Sequence, residues 1–417
     1  MINASDKPFV VIDKNVIPAL IKYCHEQNHQ KFLMIADSRT YQALGKQVEQ
    51  ALIAEGFNLK KALLEGTEEI IADEDHIVQV MNQMDAEERV FLAVGSGTIT
   101  DITRFLAHRT RNTFISLPTA PSVDGFVSVG APLVIRGLKG TADCKAPAAC
   151  FADLGTLAAA PKLMIAAGFG DLLGKYTSLA DWKLGHILWD ERYDTAVETS
   201  FRQALDKCVS GYANLAQGDP ASISALIDGL IGSGMGIIEY GNTQPASGAE
   251  HHISHHWEMK LLWQQRPGLL HGAKVGVGTI ITAEYYEKIR RLTRQDVKNL
   301  LAESQIKPEE EIASIQTVYP SISERLIDLQ KPFINIDAAH LSALKERILT
   351  NWDSVLEIAA SVPPAQEIRE MLAAVGGPTT PAMLGFSDAE AREAILYSHN
   401  LRRRFTSLKL CHFLNIL

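Results

Sequence analysis

The stretch FLAVGSGTITD (Phe91–Asp101) has the form of a buried strand, a glycine turn and the first turn of a helix. Such a turn suits a phosphate, because glycines let the backbone approach a pyrophosphate and the free amides at the helix start donate hydrogen bonds. Thr100 stands where the full dinucleotide fingerprint has its third glycine. The stretch therefore predicts a strand-turn-helix unit and leaves a nucleotide site and a simple tight turn both open.

Around this unit, short apolar runs alternate with amphipathic stretches from Lys31 to about Leu154. Strands that alternate with helices indicate a parallel sheet with helices on both faces. The predicted strands are Phe32–Ala36, Val90–Val94, Phe114–Leu117 and Cys150–Leu154, and the predicted helices are Tyr41–Glu55 and Ile99–His108. The segment Val127–Ile135, which continues into Arg136-Gly137-Leu138-Lys139-Gly140, is typical of a hairpin or of an excursion from the sheet.

After Pro161 the apolar residues recur at helical spacing, which predicts an all-helical domain. The predicted helical segments are Leu163–Leu188, Tyr193–Ala216, Ile223–Tyr240, Ala249–Gln264, Gly276–Leu292 and most of Gln295–Leu417. We therefore predict two domains, residues 1–160 and 161–417, with a ligand site in the cleft between them. The run Arg402–Arg404 is predicted to be a solvated helix face.

The composition, with 46% hydrophobic and 21% charged residues in a chain of 417, is that of a folded globular protein. The formal net charge of −9 gives no electrostatic footprint for nucleic acid, although a small anionic substrate needs only a few local donors. The five cysteines form no Cys-x-x-Cys pair, so no disulfide framework is indicated. With no secretory pattern and no uninterrupted apolar run of the ~18 residues that a membrane helix needs, a cytoplasmic protein is predicted.

A run of histidines, SGAEHHISHH from Ser247, brings imidazoles into helical register. His251 and His255 are four residues apart, so on a helix they lie one turn above each other on the same face. His271 follows twenty positions after His251. One imidazole could hold a metal and another could move a proton, or the histidines could lie on a polar surface.

The segment GFGDLLGK (Gly168–Lys175) places Asp171 and Lys175 one turn apart near the start of a predicted helix. Asp171 could cap that helix or be a third metal ligand. One carboxylate with two imidazoles gives a divalent ion three protein ligands and leaves a position open for substrate. Zinc, nickel and iron all accept such a ligand set. His252 and His256, one position out of register, are expected to point away from the site.

Two further segments carry polar side chains after predicted strands. Asp37, at the end of the first predicted strand, could accept hydrogen bonds from an adenosine ribose or could cap a helix, whereas Arg39 could meet a 2′-phosphate. NAD and NADP therefore both remain open. The loop TAPSVDG (Thr119–Gly125) offers hydroxyls and Asp124, which could bind a polyol or cofactor or could build turns.

Five motifs, GSGTITD, PTAPSVDGFVS, GFGDLLGK, SGAEHHISHHWE and LLHGAKVG, occur in this order, and together they closely resemble the glycerol-1-phosphate dehydrogenases. That family belongs to the iron-containing alcohol dehydrogenase and dehydroquinate synthase-like superfamily. The resemblance, which runs over nearly the whole chain, implies a Rossmann-like NAD(P)-binding domain followed by a helical domain. It also implies a homo-oligomer that reversibly reduces dihydroxyacetone phosphate to sn-glycerol 1-phosphate with NAD(P)H.

Carried over by motif position, the resemblance implies that Asp171, His251 and His271 bind one divalent metal ion. It implies that His255 lies beside the nicotinamide and that Asp124 and Asp171 contact the substrate. The implied cofactor-contacting residues are Gly97, Thr98, Ile99, Thr100, Asp101, Thr119, Ala120, Pro121, Ser122 and Ser128, to which the residue patterns add Gly95 and Asp37.

The predicted mechanism has a divalent ion polarising the ketone oxygen while the nicotinamide delivers hydride, and His255 or a water on the metal supplies the proton. Asp171, His255 and Lys175 are the predicted catalytic residues. The candidates for holding the substrate phosphate are Lys175, Arg136, Lys139 and Lys145, among which Lys175 has the best register. The alternatives are a polyol dehydrogenase with an unphosphorylated substrate and a dehydroquinate synthase-like lyase.

Overall fold

The computed structural model describes residues 7–66, 70–136 and 138–417. Its strands are β1 (Phe9–Asp13), β2 (Lys31–Asp37), β3 (Asn58–Leu64), β4 (Val90–Gly95), β5 (Phe114–Pro118), β6 (Gly130–Ile135), β7 (Leu138–Asp143) and β8 (Ala149–Asp153). Six of them form one parallel sheet in the spatial order β1-β8-β5-β4-β2-β3, and β6 pairs with β7 as an antiparallel hairpin. The predicted sheet and hairpin are confirmed, although Gly137 of the hairpin lies outside the described residues.

The central strand β4 shows why this sheet is covered on both faces. All its residues are buried, and alternate ones enter different cores: Leu92 packs with Phe32 on one face, and Phe91 packs with Leu33 on the other. The helices of this half are α1 (Ile17–Glu26), α2 (Ser38–Thr40), α3 (Lys46–Ala54), α4 (Glu74–Gln83), α5 (Gly97–Thr110) and α6 (Leu154–Ala158). The predicted α/β layering follows from this alternation.

The sequence pattern does not single out β1 and β3, which lie at the two edges of the sheet. Most of their residues are only partly buried. Strand β3 mixes lysines with apolar residues, whereas β1 precedes Lys31, where the predicted pattern begins. Strand β1 pairs in parallel with β8, from Phe9 opposite Ala149 to Asp13 opposite Asp153. The first and last strands of the α/β half are thus neighbours.

The second half is helical, as predicted. Its helices are α7 (Lys162–Leu173), α8 (Lys175–Trp189), α9 (Thr195–Val209), α10 (Pro220–Tyr240), α11 (Ala249–Trp263), α12 (His271–Arg291), α13 (Arg294–Glu303), α14 (Pro308–Val318), α15 (Ser323–Ile334), α16 (Ala338–Thr350), α17 (Trp352–Ala360), α18 (Ala365–Ala374), α19 (Asp388–Tyr397) and α20 (Ser407–Phe413). Helix α12 packs against both α7 and α11. The predicted division at residue 160 falls between the last strand of the sheet and α7, and stays a prediction.

The run Arg402–Arg404 is not the predicted solvated helix face. It lies between a short 3-10 turn, Ser398–Asn400, and α20, and Arg404 is buried against Glu191 with 3.1 Å between its Nε and Oε2. The helix Pro220–Tyr240 is long and apolar enough to cross a membrane by length and composition alone. Because 67% of its apolar window is buried inside the protein, it has the character of a core helix.

Candidate active site

Three predicted metal ligands from three different helices converge. Asp171 on α7, His251 on α11 and His271 on α12 each offer a ligand atom, and these atoms all lie within 4.8 Å of one another. The rings of His251 and His271 are 5.3 Å apart between centroids. The helical spacing predicted that His251 faces inward, and the packing of α12 against α7 and α11 brings the other two ligands to it.

Two glycines set the close separation of α7 and α12. A Cβ atom on Gly272 would lie 1.9 Å from the carbonyl oxygen of Ala167, and one on Gly170 would lie 2.5 Å from the carbonyl oxygen of Gly272. No side chain fits at such distances. The glycines therefore let the backbones of the two ligand-bearing helices touch beside Asp171 and His271.

The atoms of Asp171 fit a divalent cation. Its side chain is fully buried, and Oδ1 has no hydrogen-bond partner although it lies 3.6 Å from Nε2 of His251. The other oxygen, Oδ2, accepts a hydrogen bond from the backbone N–H of Asp124 at 3.0 Å. A buried carboxylate oxygen without a partner is costly unless a cation binds it, and one carboxylate with two imidazoles is a ligand set that divalent transition metals accept.

Glu250 fixes the orientation of His251. The fully buried carboxylate accepts a hydrogen bond from Nδ1 of His251 at 2.7 Å, which leaves Nε2 directed at Asp171. Burial opposes protonation of the ring, but the nearby carboxylates of Asp171 and Glu250 outweigh it and raise the pKa of His251 to about 9. A carboxylate on the outer nitrogen of a ligating histidine is a common support of metal sites. The sequence analysis missed Glu250, although it directly precedes His251.

Lys175 lies inside an ion-pair network instead of in an open cleft. Its fully buried Nζ donates to Oδ2 of Asp124 at 2.9 Å and to the carbonyl oxygen of Ala246 at 3.2 Å, and lies 3.6 Å from Oδ1 of Asp171. Burial opposes its charge, but both carboxylates outweigh burial and raise the pKa of Lys175. Ser233, which the sequence analysis missed, also donates to Asp124, at 2.7 Å. These contacts favour a positioning role, and the predicted role of Lys175 in catalysis or phosphate binding stays a prediction.

His255 faces the metal ligands from one turn further along α11. Its ring centroid is 6.2 Å from that of His251 and 5.9 Å from that of His271, and the side chain is partly buried. Burial and then the charge of Arg402 hold the pKa of His255 well below its ordinary value. His256, by contrast, shares a hydrogen bond of 2.8 Å with Tyr319, on a different face of α11.

The predicted cofactor turn lies at the start of α5. Ser96 is the N-cap and makes no side-chain capping bond, so the first amides of the helix keep their capacity to bind an anion. A Cβ atom on Gly95 would lie 2.5 Å from Cβ of Ile99, which explains the glycine at this close approach of strand and helix. Asp101 pairs with Arg104 at 2.8 Å, yet burial raises its pKa to about 7.

The other predicted cofactor segments meet this turn at the carboxyl edge of the sheet. Thr119 donates its backbone N–H to the carbonyl oxygen of Gly95 at 3.2 Å, which joins the loop after β5 to the turn after β4. The loop residues Thr119, Ala120, Ser122 and Ser128 are buried. A Cβ atom on Gly168 would lie 1.7 Å from the carbonyl oxygen of Pro121, so the loop also touches α7. Nucleotides bind at this edge in open α/β sheets.

Asp37 ends β2, the neighbour of β4, at the same edge. Its Oδ1 accepts from the backbone N–H groups of Arg39 and Thr40, each at 2.8 Å, so Asp37 caps α2. The capping alternative is therefore confirmed. The ribose contact of Asp37 and the 2′-phosphate contact of Arg39 stay predictions.

A second charged cluster lies beside the site. Lys139 from the hairpin strand β7 donates to Oε1 of Glu258, and Nζ of Lys274 lies 3.9 Å from Oε2 of the same carboxylate. Burial would raise the pKa of Glu258, but the charges of Lys139 and Lys274 outweigh it and hold that pKa at about 2. The sequence analysis proposed Lys139 as a phosphate ligand but missed Glu258 and Lys274, each of which lies three residues after a site histidine.

Residues 11–161 match a family described as iron-containing alcohol dehydrogenase. A glycerol-1-phosphate dehydrogenase (NAD(P)+) from Geobacillus stearothermophilus is 38% identical over 97% of this chain and 92% of its own length. The protein of the same name from Bacillus subtilis is 34% identical over 96% of this chain and 90% of its own length. The similarity thus spans both the α/β half and the helical half.

Solved structures share the fold at low sequence identity. A probable glycerol dehydrogenase from Sinorhizobium meliloti 1021 aligns with a TM-score of 0.58 and 16% identity, over 94% of this chain and 89% of that chain. An iron-containing alcohol dehydrogenase from Corynebacterium glutamicum aligns with a TM-score of 0.59 and 13% identity, over 98% and 92%. These structures establish a common architecture and carry no information about the substrate.

Proposed function

The chain belongs to the glycerol-1-phosphate dehydrogenase family, and on that premise we propose how its residues perform the family's reaction. The enzyme is an NAD(P)-dependent oxidoreductase that interconverts dihydroxyacetone phosphate and sn-glycerol 1-phosphate. The observation that supports a site for this reaction is the convergence of Asp171, His251 and His271 next to the loop that follows β5. A metal ion can polarise a carbonyl group as a Lewis acid, and a nearby nicotinamide can then reduce it by hydride transfer.

The proposed metal site consists of Asp171, His251 and His271, with zinc or nickel as the expected ion and iron as an alternative. When bound, the ion supplies a Lewis acid for the ketone oxygen. Glu250 holds Nδ1 of His251 and thereby keeps Nε2 available to the site. Lys175, which is fully buried, forms ion pairs with Asp124 and Asp171 and thereby holds both carboxylates in place beside the metal site.

The proposed cofactor site follows the carboxyl edge of the sheet, from the turn at Gly95–Asp101 to the loop at Thr119–Ser122 and Ser128. The amides at the start of α5 bind the pyrophosphate. Asp124 lies at the end of that loop, with its backbone bonded to Asp171, and is placed to contact a substrate hydroxyl. His255, partly exposed and facing both ligand histidines, is the group to which we assign proton transfer.

We further propose a cytoplasmic homo-oligomer, at least a dimer, that supplies a precursor of phospholipids. The family resemblance supports the oligomer and the pathway. The composition and the negative net charge support a protein that binds a small anionic substrate and not nucleic acid.

The test is the rate of NADH and NADPH oxidation by metal-reconstituted enzyme with dihydroxyacetone phosphate and with dihydroxyacetone, followed by chiral analysis of the product. A strong preference for the phosphorylated ketone, with sn-glycerol 1-phosphate as product, is expected. A preference for dihydroxyacetone would assign the protein to the polyol dehydrogenases. Unchanged NADH with both substrates would contradict any dehydrogenase function.

A further inference from the structure

We propose that the phosphate of the substrate binds to Lys139 and Arg402, on the side of the metal site that carries His255. This inference rests on the proposed function, since it concerns the phosphorylated substrate. It selects one of the four basic residues that the sequence singled out and adds an arginine from the carboxyl-terminal segment, which the sequence pattern predicted to be a solvated surface residue.

The first step of the argument is the position of Glu258 on α11. His251, His255 and Glu258 are spaced by four and three residues, so they lie along one face of that helix. Glu258 is bonded to Lys139 from the hairpin. The lysine therefore reaches the active face of α11 two helical turns from His251 and one turn from His255, a rise of about 5.4 Å per turn. The phosphate of a three-carbon ketone bound at the metal site extends by about this distance.

Helix α12 brings a second lysine to the same carboxylate. Lys274 follows His271 by three residues and is fully buried, and its Nζ donates to the carbonyl oxygen of Leu269 at 2.6 Å and lies 3.9 Å from Glu258. Because Lys274 has no exposed surface, we assign it to support Glu258 and not to contact the phosphate. Lys139, whose side chain is 20% exposed, keeps surface available for an anion.

The backbone that carries Arg402 is fixed against α11. The 3-10 turn Ser398–Asn400 packs on that helix, and Nε2 of Gln330 donates to the carbonyl oxygens of Asn400 and Arg402 at 3.0 and 2.8 Å. Two residues later, Arg404 donates to the carbonyl oxygen of Ser247, just before the start of α11. Arg402 therefore projects from a segment that is held on both sides beside the histidine helix.

The guanidinium of Arg402 has the surroundings of an anion ligand. The side chain is exposed and donates to the carbonyl oxygen of Leu401 at 3.0 Å, and within the described part of the chain no carboxylate lies within ion-pair distance of it. Desolvation by surrounding protein atoms and then the like charge of Arg325 lower the pKa of Arg402, so a second cation acts on its guanidinium. An arginine without a carboxylate partner is suited to phosphate.

Lys139 and the segment of Arg402 both meet the helix that carries His255. Lys139 reaches α11 through Glu258, one turn after His255. The turn Ser398–Asn400, which directly precedes the segment of Arg402, packs on the same helix. Lys139 and Lys274 share the carboxylate of Glu258. Arg402 adds a further positive charge, and a phosphate dianion can neutralise such an excess.

The experiment compares Arg402→Gln and Lys139→Met with Arg403→Gln as the matched control, because Arg403 is an exposed neighbour of equal charge. For each metal-loaded, full-length variant, kcat and KM are measured with dihydroxyacetone phosphate, with dihydroxyacetone and with NAD(P)H. Loss of a charge-assisted hydrogen bond should lower the preference for the phosphorylated ketone, expressed as the ratio of the two kcat/KM values, by about 10- to 100-fold, mainly through KM. The control should keep the wild-type ratio.

A second readout uses inorganic phosphate as a competitive inhibitor, whose inhibition constant should rise by a similar factor in Arg402→Gln and recover partly in Arg402→Lys. An unchanged substrate ratio in both site variants would overturn the proposal. A raised KM for NAD(P)H at an unchanged ratio would overturn it as well, because the cations would then serve the cofactor. A wild-type enzyme without preference for the phosphorylated ketone would instead contradict the proposed function.

Discussion

Replacing Gly272 by alanine should separate the metal ligands without dismantling the fold. The new Cβ atom would lie 1.9 Å from the carbonyl oxygen of Ala167 and 3.1 Å from Cβ of Asp171. A comfortable carbon-to-oxygen contact is about 3.3 Å. Helices α7 and α12 must therefore move apart by roughly 1.4 Å at the point where Asp171 and His271 face each other.

This displacement is large for a metal site, because ligand distances in a functional site hold to about 0.2 Å. A misplacement of about 1 Å at a reacting centre costs about 100-fold. We therefore expect the affinity of Gly272→Ala for zinc or nickel, measured by competition with a chromophoric chelator, to fall at least about 100-fold, and kcat/KM to fall with it. Overpacking should lower the free energy of unfolding by only about 1–3 kcal/mol.

The matched control is Gly232→Ala on α10, where the added Cβ atom would lie at an ordinary 3.6 Å from Cβ of Ala204. This variant should bind metal like the wild type and should gain up to about 1 kcal/mol in stability, since alanine is the better helix former. If Gly272→Ala bound metal with wild-type affinity and kept full turnover, the contact between α7 and α12 would not be what sets the ligand separation.

Variants at three residues of the site, and one at Lys409, give further tests. His271→Ala should lose metal and turnover together while its thermal unfolding midpoint stays close to that of the wild type; full activity without metal would refute the assignment. Glu250→Ala leaves Nδ1 of His251 without its acceptor and should weaken metal binding about 10- to 100-fold in the competition assay, whereas Glu250→Gln keeps an acceptor oxygen and should retain most of the affinity. Lys175→Met leaves the buried carboxylate of Asp171 and the partly buried one of Asp124 without their cation and should lower the free energy of unfolding of the metal-free protein by about 3–5 kcal/mol; a wild-type urea midpoint would contradict this. Burial lowers the pKa of Lys409 to about 7 from 10.5, so between these values the unfolded chain holds a proton that the folded protein has released. Wild-type stability should therefore gain up to about 1.4 kcal/mol per pH unit above pH 7 relative to Lys409→Met, and equal urea midpoint shifts between pH 7.5 and 9.5 would contradict this.

Periodicity was sufficient to predict the main elements of the fold. The strand and helix around Gly95 follow from a continuous apolar run and a glycine turn, and the helical half follows from long amphipathic segments. Strand β3 escapes such a pattern, because it lies at an edge of the sheet, is only partly covered and mixes lysines with apolar residues. Strand β1 contains the apolar run Phe9–Ile12 but precedes Lys31, where the predicted α/β pattern begins, and its place in the sheet depends on pairing with residues 149–153.

The residues of the site likewise fall into those that the sequence predicts and those that only the folded structure brings together. The common face of His251 and His255 is a property of one helix, and the motif resemblance links it to Asp171 and His271. The ion pair between Lys139 and Glu258, by contrast, joins residues 119 positions apart. Arg404 is buried against Glu191, which lies 213 positions away in the sequence. Nothing in the local run of three arginines therefore indicates that Arg404 is buried.

The hydrogen bond from the backbone of Asp124 to Oδ2 of Asp171 couples the proposed cofactor site to the proposed metal site. Asp124 belongs to the loop that we assign to the cofactor, and Asp171 offers its other oxygen to the metal. When the cofactor or the metal orders one of these two residues, the other ligand loses less conformational entropy of the protein on binding. Occupancy of one site then changes the affinity of the other, and reciprocity requires the same factor in both directions. The enzyme would thus retain its metal more firmly in cells rich in nicotinamide cofactor than in cells depleted of it.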